Sequence, residues 1–117
     1  MNGISDTSMQ AVEWALNGVS RRADVHSQNI SNVSTPGYRA SRVDFESHLR
    51  MALETGRFDD LREPEVLAFN GLPNQHGNDV ELETEMVGLL KNNLMQDSMV
   101  ASYNFKMNIL RSAIGKR

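Results

Sequence analysis

The chain has 117 residues, of which 39% are apolar, 6% aromatic and 23% charged, with a formal net charge of −3. One domain fits this length, but the low apolar and aromatic content argues against a thick globular core. The 12 basic residues are scattered, so no nucleic-acid-binding face is expected, and the absence of cysteine excludes disulfides and thiolate metal sites.

A heptad pattern predicts a first long helix over residues 6–33. Asp6 or Thr7 is placed to cap it, and apolar positions then recur in alternating steps of three and four residues. Trp14 and Val25 lie off this pattern and offer a second contact surface. The positions of the first seam are Met9, Val12, Leu16, Val19, Ala23, His26, Ile30 and Val33.

A turn is predicted where this helix ends, within N-I-S-N-V-S-T-P-G-Y-R at residues 29–39. Pro36 fixes its own φ and has no amide donor, and Gly37 permits a positive φ, so the helix cannot continue. Polar side chains can bond the groups that a helix end leaves unpaired, and the ring of Tyr38 can pin the turn. These polar residues are Asn29, Ser31, Asn32, Ser34 and Thr35.

The middle of the chain, residues 36–79, shows little periodicity. A short amphipathic helix is predicted over residues 44–54, capped by Asp44 and stopped by Gly56. Residues 55–79 contain Gly and Pro breakers and are predicted as loop, with at most a short extended piece at residues 66–69.

A second long helix is predicted from residue 80 to the C-terminus, with Asn78 or Asp79 as its cap. Acidic residues in its first turns suit the helix dipole. Leu90 and Leu94 widen its apolar stripe. The positions of the second seam are Met86, Leu89, Asn93, Gln96, Val100, Tyr103, Met107, Leu110 and Ile114.

The predicted fold is mainly α, an antiparallel coiled coil of the N-terminal helix (1–35) and the C-terminal helix (80–117) with a small irregular middle region (36–79). A register in which paired position numbers sum to 119 places Leu16 beside Tyr103 and gathers the polar seam positions in one layer. The expected helix-pairing residues are Met9, Val12, Leu16, Val19, Ile30, Val33, Met86, Leu89, Val100, Tyr103, Met107, Leu110 and Ile114.

The sequence offers little for catalysis. His26 lies on the first seam and is interpreted as a tolerated core residue, and Asp44 with His48 lacks a third metal ligand. No nucleophile accompanies His76, and no phosphate-binding or hydrolase motif is present. We therefore expect no enzyme activity, no catalytic residue, no cofactor and no metal.

Two motifs near opposite ends of the chain resemble those of the bacterial flagellar rod and hook axial proteins. The first is N-x-x-N-x-x-T-P-G-Y, carried here by Asn29, Asn32, Thr35, Pro36, Gly37 and Tyr38. The second, N-x-V-x-L-x-x-E-M, is carried by Asn78, Val80, Leu82, Glu85 and Met86. The short length and the C-terminal string are most like the proximal rod subunits of that family.

The resemblance implies a structural subunit that polymerises into the hollow, torque-transmitting drive shaft crossing the periplasm. Its implied partners are copies of itself, other rod subunits, the membrane-ring base of the rod and the flagellar export apparatus. Export of the unfolded chain from the cytoplasm would suit an N-terminus without a signal peptide and a chain without a predicted membrane span. Trp14, Val25, Leu90 and Leu94 would face neighbouring subunits. The alternatives are another rod subunit of the same family or a cytoplasmic coiled-coil adaptor.

Overall fold

The computed structural model describes the backbone of residues 2–58 and 64–115, and side chains from residue 9 onward within those ranges. Its elements in chain order are α1 (Asn2–Ser31), β1 (Ser41–Asp44), α2 (Glu46–Thr55), β2 (Glu65–Ala68) and α3 (Leu82–Gly115). The molecule measures 66 × 26 × 15 Å and has a radius of gyration of 17.9 Å. A compact domain of this length would have a radius of gyration of about 13 Å, so the protein is elongated.

The two long helices pack side by side in opposite directions. Asn29, near the end of α1, bonds Glu85 in the first turn of α3, whereas Glu13 bonds Tyr103 far along α3. This arrangement confirms the predicted fold class. The division into three regions stays a prediction, and no helix in the described part of the chain is long and apolar enough to cross a membrane.

Helix α1 ends at Ser31, two residues earlier than predicted. The side chains of Ser31 and Asn32 donate hydrogen bonds to the carbonyls of Ser27 and Gln28, which lie four residues earlier. These bonds satisfy carbonyls at the end of the helix, and a series of turns follows. Gly37 has φ 75°, a value that favours glycine, so the predicted turn is confirmed.

A small antiparallel sheet follows the turn. Strand β1 pairs with β2, with Ser41 opposite Ala68 and Asp44 opposite Glu65. The predicted extended piece at residues 66–69 overlaps β2 with an offset of one residue, whereas β1 was not predicted. Val43 is the one apolar residue of β1, and four residues are too short to show the alternation that marks a strand.

Helix α2 begins two residues later than predicted. Phe45 holds the N-cap position and provides no side-chain cap, and the Asp44 carboxylate accepts a hydrogen bond from the Ser47 hydroxyl at 2.9 Å. The prediction that Asp44 caps the helix is therefore wrong. Gly56 has φ 72° and its N–H donates to the Ala52 carbonyl, which confirms it as the stop.

The core is thin and lies between α1, β1 and the start of α2. Trp14 packs edge-on against Phe45, with ring centroids 6.0 Å apart, and the Arg22 guanidinium lies over the Phe45 ring, 4.6 Å from its centroid. Val25, predicted as a surface residue, is buried here, so that prediction is wrong. The core cluster comprises Ala15, Val19, Val25, Val43 and Phe45.

Candidate functional site at the joint between the long helices

Asn29 is the centre of a hydrogen-bond network at the end of α1. Its side chain is fully buried, and its Nδ2 donates to the Ser41 carbonyl at 2.8 Å and to Glu85 Oε1 at 3.0 Å. Its Oδ1 accepts from the Tyr38 hydroxyl at 2.9 Å and from the Ser41 N–H at 3.1 Å. One side chain thus links α1, the turn, β1 and α3, and all of its hydrogen-bonding capacity is used.

Glu85 connects α3 to α1 through both carboxylate oxygens. Oε1 accepts from Asn29, and Oε2 lies 2.5 Å from His26 Nδ1. Both side chains of the His26–Glu85 pair are largely shielded from water. Gly88 leaves room for the imidazole, since a Cβ at this position would lie 2.7 Å from His26 Cε1.

The side chain of Asn78 hydrogen-bonds carbonyls just after the end of α1 and does not cap α3. Its Nδ2 donates to the carbonyls of Asn32 and Thr35 at 2.8 Å and reaches that of Val33 at 3.2 Å. Its Oδ1 accepts from the Val80 N–H. The predicted helix-capping role is wrong because this side chain instead satisfies carbonyls left by the end of α1.

Asp79 contacts the two residues that precede β1, Arg39 and Ala40. Its Oδ1 accepts from the buried Ala40 N–H at 2.5 Å, and its Oδ2 lies 3.3 Å from Arg39 Nε. Arg39 also donates to the Gly71 carbonyl. Asp79 therefore does not cap α3, contrary to the prediction, and its buried carboxylate is held by a backbone amide and a nearby guanidinium.

We call this set of contacts, made by residues 26–41 and 74–85, the joint. It includes one close backbone approach: the Gly37 N–H donates to the His76 carbonyl, and a Cβ on Gly77 would lie 3.5 Å from Gly37 Cα. Burial, and then the charges of Glu85 and Asp79, raise the pKa of the Tyr38 phenol above its ordinary value. The phenol is consequently neutral and acts as a donor at physiological pH.

The joint brings the two sequence motifs together. Of the first motif, Asn29 and Tyr38 enter the network directly and Gly37 makes the turn, whereas Asn32 accepts a local bond from Thr35 and Pro36 is exposed. Of the second, Asn78 and Glu85 make the long-range bonds. Sequence reasoning missed the pairing of His26 with Glu85 and the role of Asp79, because no local pattern reports contacts across more than 35 residues.

The structure places the expected helix-pairing residues unevenly. Val19 is fully buried, and most others are half-buried between elements. Three of them are exposed: Met86, Val100 and Ile114. The side of α3 that bonds to α1 carries Tyr103, which belongs to the expected set, together with Glu85 and Asn92, which do not. The helix-pairing role of the whole set stays a prediction.

The register also differs from the predicted one. Asn92 bonds Val19, whereas the predicted register places Ser27 opposite it, and Tyr103 bonds Glu13 rather than meeting Leu16. The apolar pattern repeats every seven residues, so neighbouring registers pair similar residues. Polar contacts, which the pattern does not describe, discriminate between them.

Helix α3 carries a second apolar face on its far side. Leu94 lies nine residues, about two and a half turns, from both Glu85 and Tyr103, so it points away from α1. We define the outer face of α3 as the exposed residues Val87, Leu90, Leu94, Phe105 and Ile109. Their exposed fractions range from 50% to 67%. A uniformly polar exterior would be usual for an isolated surface helix, so this face suits a contact with another molecule.

The contacts of the joint connect α1, the turn, β1 and α3. Within residues 2–58 and 64–115, no group of three or more acidic or histidine side chains is placed to hold a metal ion. In the joint, His26 pairs with Glu85, Asp79 with Arg39 and the Ala40 N–H, and Tyr38 with Asn29. Their evident effect is to fix the angle and spacing of α1 and α3.

Comparison with known proteins identifies relatives along almost the whole chain. No protein-family model matches it. The flagellar basal body rod protein FlgB of Bacillus subtilis (strain 168) is 28% identical over 119 residues, which cover 92% of this chain and 92% of that protein. FlgB of Borreliella burgdorferi is 27% identical over 114 residues, which cover 78% and 84% respectively. FlgB of Escherichia coli (strain K12) is 38% identical over 52 residues, covering 44% of this chain and 38% of that protein.

These similarities agree with the two motifs, which the structure joins in one network. They also agree with the long antiparallel terminal helices and the small middle region. The chain is thus similar, over most of its length, to flagellar basal body rod proteins named FlgB.

Proposed function

We propose that this chain is a structural, non-enzymatic subunit of the flagellar basal-body rod, in its proximal part. The observation that carries the proposal is that the joint holds the two long helices together while the outer face of α3 stays exposed. The joint holds α3 against α1 through Asn29 and Glu85, and this leaves the outer face of α3 exposed. Neighbouring rod subunits, whether copies of this chain or its relatives, would cover that face.

The thinness of the core supports folding that is completed on assembly. Among residues with described side chains, the buried apolar ones are mostly small, with Phe45 the single large aromatic. Such a core provides limited stability to an isolated subunit, and binding to neighbours adds stability by mass action. We propose that the chain leaves the cytoplasm unfolded through the flagellar export apparatus and gains its full packing in the rod, where its partners include the membrane-ring base.

The first test measures incorporation into rods. In the source bacterium lacking its own copy of the gene, Leu94→Glu is expected to abolish swimming and to leave no detectable chain in isolated basal bodies. Helicity of the purified variant should match that of the parent, because Leu94 is exposed. Asn93→Glu, at the adjacent exposed position, is the control and should support swimming.

Two outcomes would contradict the proposal. One is incorporation of the Leu94→Glu chain into rods at the parent level, which would show that the outer face is not a subunit contact. The other is recovery of the parent chain only in a soluble cytoplasmic complex, which would favour the adaptor alternative.

The second test examines coupled folding by hydrogen exchange. Amides of α1 and α3 are expected to exchange faster in the folded monomer than in isolated rods. Equal, strong protection in both samples would contradict folding on assembly while leaving the structural role intact.

A further inference from the structure

Asn92 occupies an unusual place in the helix pair. Within the described part of the chain it is the one buried residue of α3, with 2% of its surface exposed. Its Nδ2 donates to the backbone carbonyl of Val19 at 2.7 Å. Its Oδ1 is buried without a hydrogen-bond donor. A polar side chain therefore holds the position of α3 that is best shielded from water.

Stability alone does not account for this residue. A buried amide with one unpaired acceptor costs free energy relative to an apolar side chain of similar size. The neighbouring core is apolar and contains Val19, with Met99 packed against it. A buried asparagine in a helix pair is known to fix the register at the expense of stability.

The apolar seams leave the register open. The predicted register pairs Leu16 with Tyr103 and so matches apolar with apolar, yet it places Asn92 eight residues from its actual partner. A shift by one heptad likewise exchanges an apolar residue for another apolar residue at most seam positions. The joint aligns the two helices at the start of α3, and a second selective contact is needed to hold that alignment farther along the pair.

The backbone around Val19 is unusually accessible. In an α-helix a carbonyl points toward the residue four positions later, and that residue here is Ala23, which carries only a methyl group. One heptad to either side, the covering residues are Leu16 and Ile30, which are much larger. The Asn92 amide can therefore approach a carbonyl closely at Val19, and less easily at the equivalent positions.

We infer that Asn92 is the register-determining residue of the α1–α3 pair, and that its bond to Val19 selects this alignment over those shifted by one heptad. The alignment sets where the outer face of α3 lies along α1. The inference concerns the isolated chain, so its failure would leave the proposed rod function untouched.

The test is a distance measurement between spin labels on the full-length chain. The chain has no cysteine, so Asn17→Cys and Asn108→Cys provide two unique attachment points at exposed positions on α1 and α3. Trimethylamine N-oxide in the sample favours the folded state. A shift by one heptad moves the two labels by about 10 Å along the helix axis.

One main distance is expected for the parent. For Asn92→Leu we expect a second distance, with the fraction at the parent distance reduced at least about twofold and helicity retained. Asn93→Leu, at an exposed position, is the matched control and should keep one distance.

A single parent distance in Asn92→Leu would overturn the inference, as would a parent without a main distance. If Asn92→Leu loses its helicity, Asn92→Ala, which adds no volume, replaces it with the same expected result. A single distance in that variant would equally overturn the inference.

Discussion

The amide of Asn29 and the carboxylate of Glu85, separated by 56 positions in the chain, meet at 3.0 Å in the joint between the two long helices. The same asparagine holds the turn and β1 through Tyr38 and Ser41. This single side chain converts two sequence motifs into one structural unit. Several variants test how far the fold depends on it and on the packing around it.

Removal of the Asn29 amide should destabilise the protein strongly. Asn29→Ala removes the bonds that its side chain makes to the Tyr38 hydroxyl, the Ser41 backbone and Oε1 of Glu85, so we expect a loss of about 2–4 kcal/mol in unfolding free energy. Urea denaturation followed by circular dichroism measures it. Asn17→Ala, an exposed change in the same helix, should have little effect. Equal stabilities of the two variants would show that the network does not hold the joint.

Gly18→Ala should disturb the core beneath α1. A Cβ at this position would lie 2.6 Å and 2.7 Å from ring atoms of the buried Phe45, which has little space to move. We expect destabilisation of about 1–3 kcal/mol despite the better helix propensity of alanine. Gly115→Ala, where nothing lies within 4 Å, is the control and should be neutral or slightly stabilising. Thermal unfolding of both variants provides the comparison.

Arg22→Lys should weaken the attachment of β1 and α2 to α1. The guanidinium donates to the Val43 carbonyl at 2.8 Å and to the Glu46 carboxylate, and it covers the Phe45 ring. Lysine does not reproduce this planar arrangement, so about 1–2 kcal/mol of unfolding free energy should be lost. Arg21→Lys, at the neighbouring exposed position, should change nothing measurable.

The same variant should change the titration of Glu46. Burial by itself would raise the pKa of this carboxyl, but the hydrogen bond and charge of Arg22 lower it below its ordinary value. Arg22→Lys should therefore move the pKa of Glu46 upward, and NMR titration of the side-chain carboxyl detects this. A Glu46 pKa that is not lowered in the parent would mean that the pair does not form in solution.

The raised pKa of Tyr38 predicts that the stability of the protein decreases at alkaline pH. Because burial and the nearby carboxylates raise the pKa of the folded phenol, the unfolded chain loses its proton first as the pH increases. The stabilisation is complete below about pH 10 and is lost as the pH rises through the folded-state pKa. The advantage of the parent over Tyr38→Phe, about 1 kcal/mol at neutral pH, should shrink above pH 10.

Phenolate absorbance measures the titration directly. The pKa of Tyr103 is also raised, by its hydrogen bond to Glu13 and by burial, so Tyr103→Phe is used to assign the Tyr38 signal. A Tyr38 titration at the ordinary pKa of tyrosine would show that the phenol is not enclosed in the joint.

Much of the architecture was predictable from local information. The periodic spacing of apolar residues marks both long helices, and Pro36 with Gly37 makes the turn between α1 and β1 necessary. The stop at Gly56 follows from its freedom to adopt a positive φ. Two motifs of defined residues were sufficient to suggest the family that the comparisons support. These features depend on neighbours within a few positions of the chain.

The way in which the helices and strands meet depends on contacts between residues far apart in the chain. Asn78 and Asp79 are residue types that commonly cap helices. Here Asn78 bonds a carbonyl at the end of α1 and Asp79 accepts from the Ala40 N–H just before β1, because these backbone groups lie close in space. The register depends on single polar contacts such as Asn92 with Val19, which a seven-residue apolar repeat cannot distinguish from its neighbours. The sequence determined the elements because periodicity and backbone constraint act locally, whereas their alignment was decided by buried polar groups that find partners only once the chain has folded back on itself.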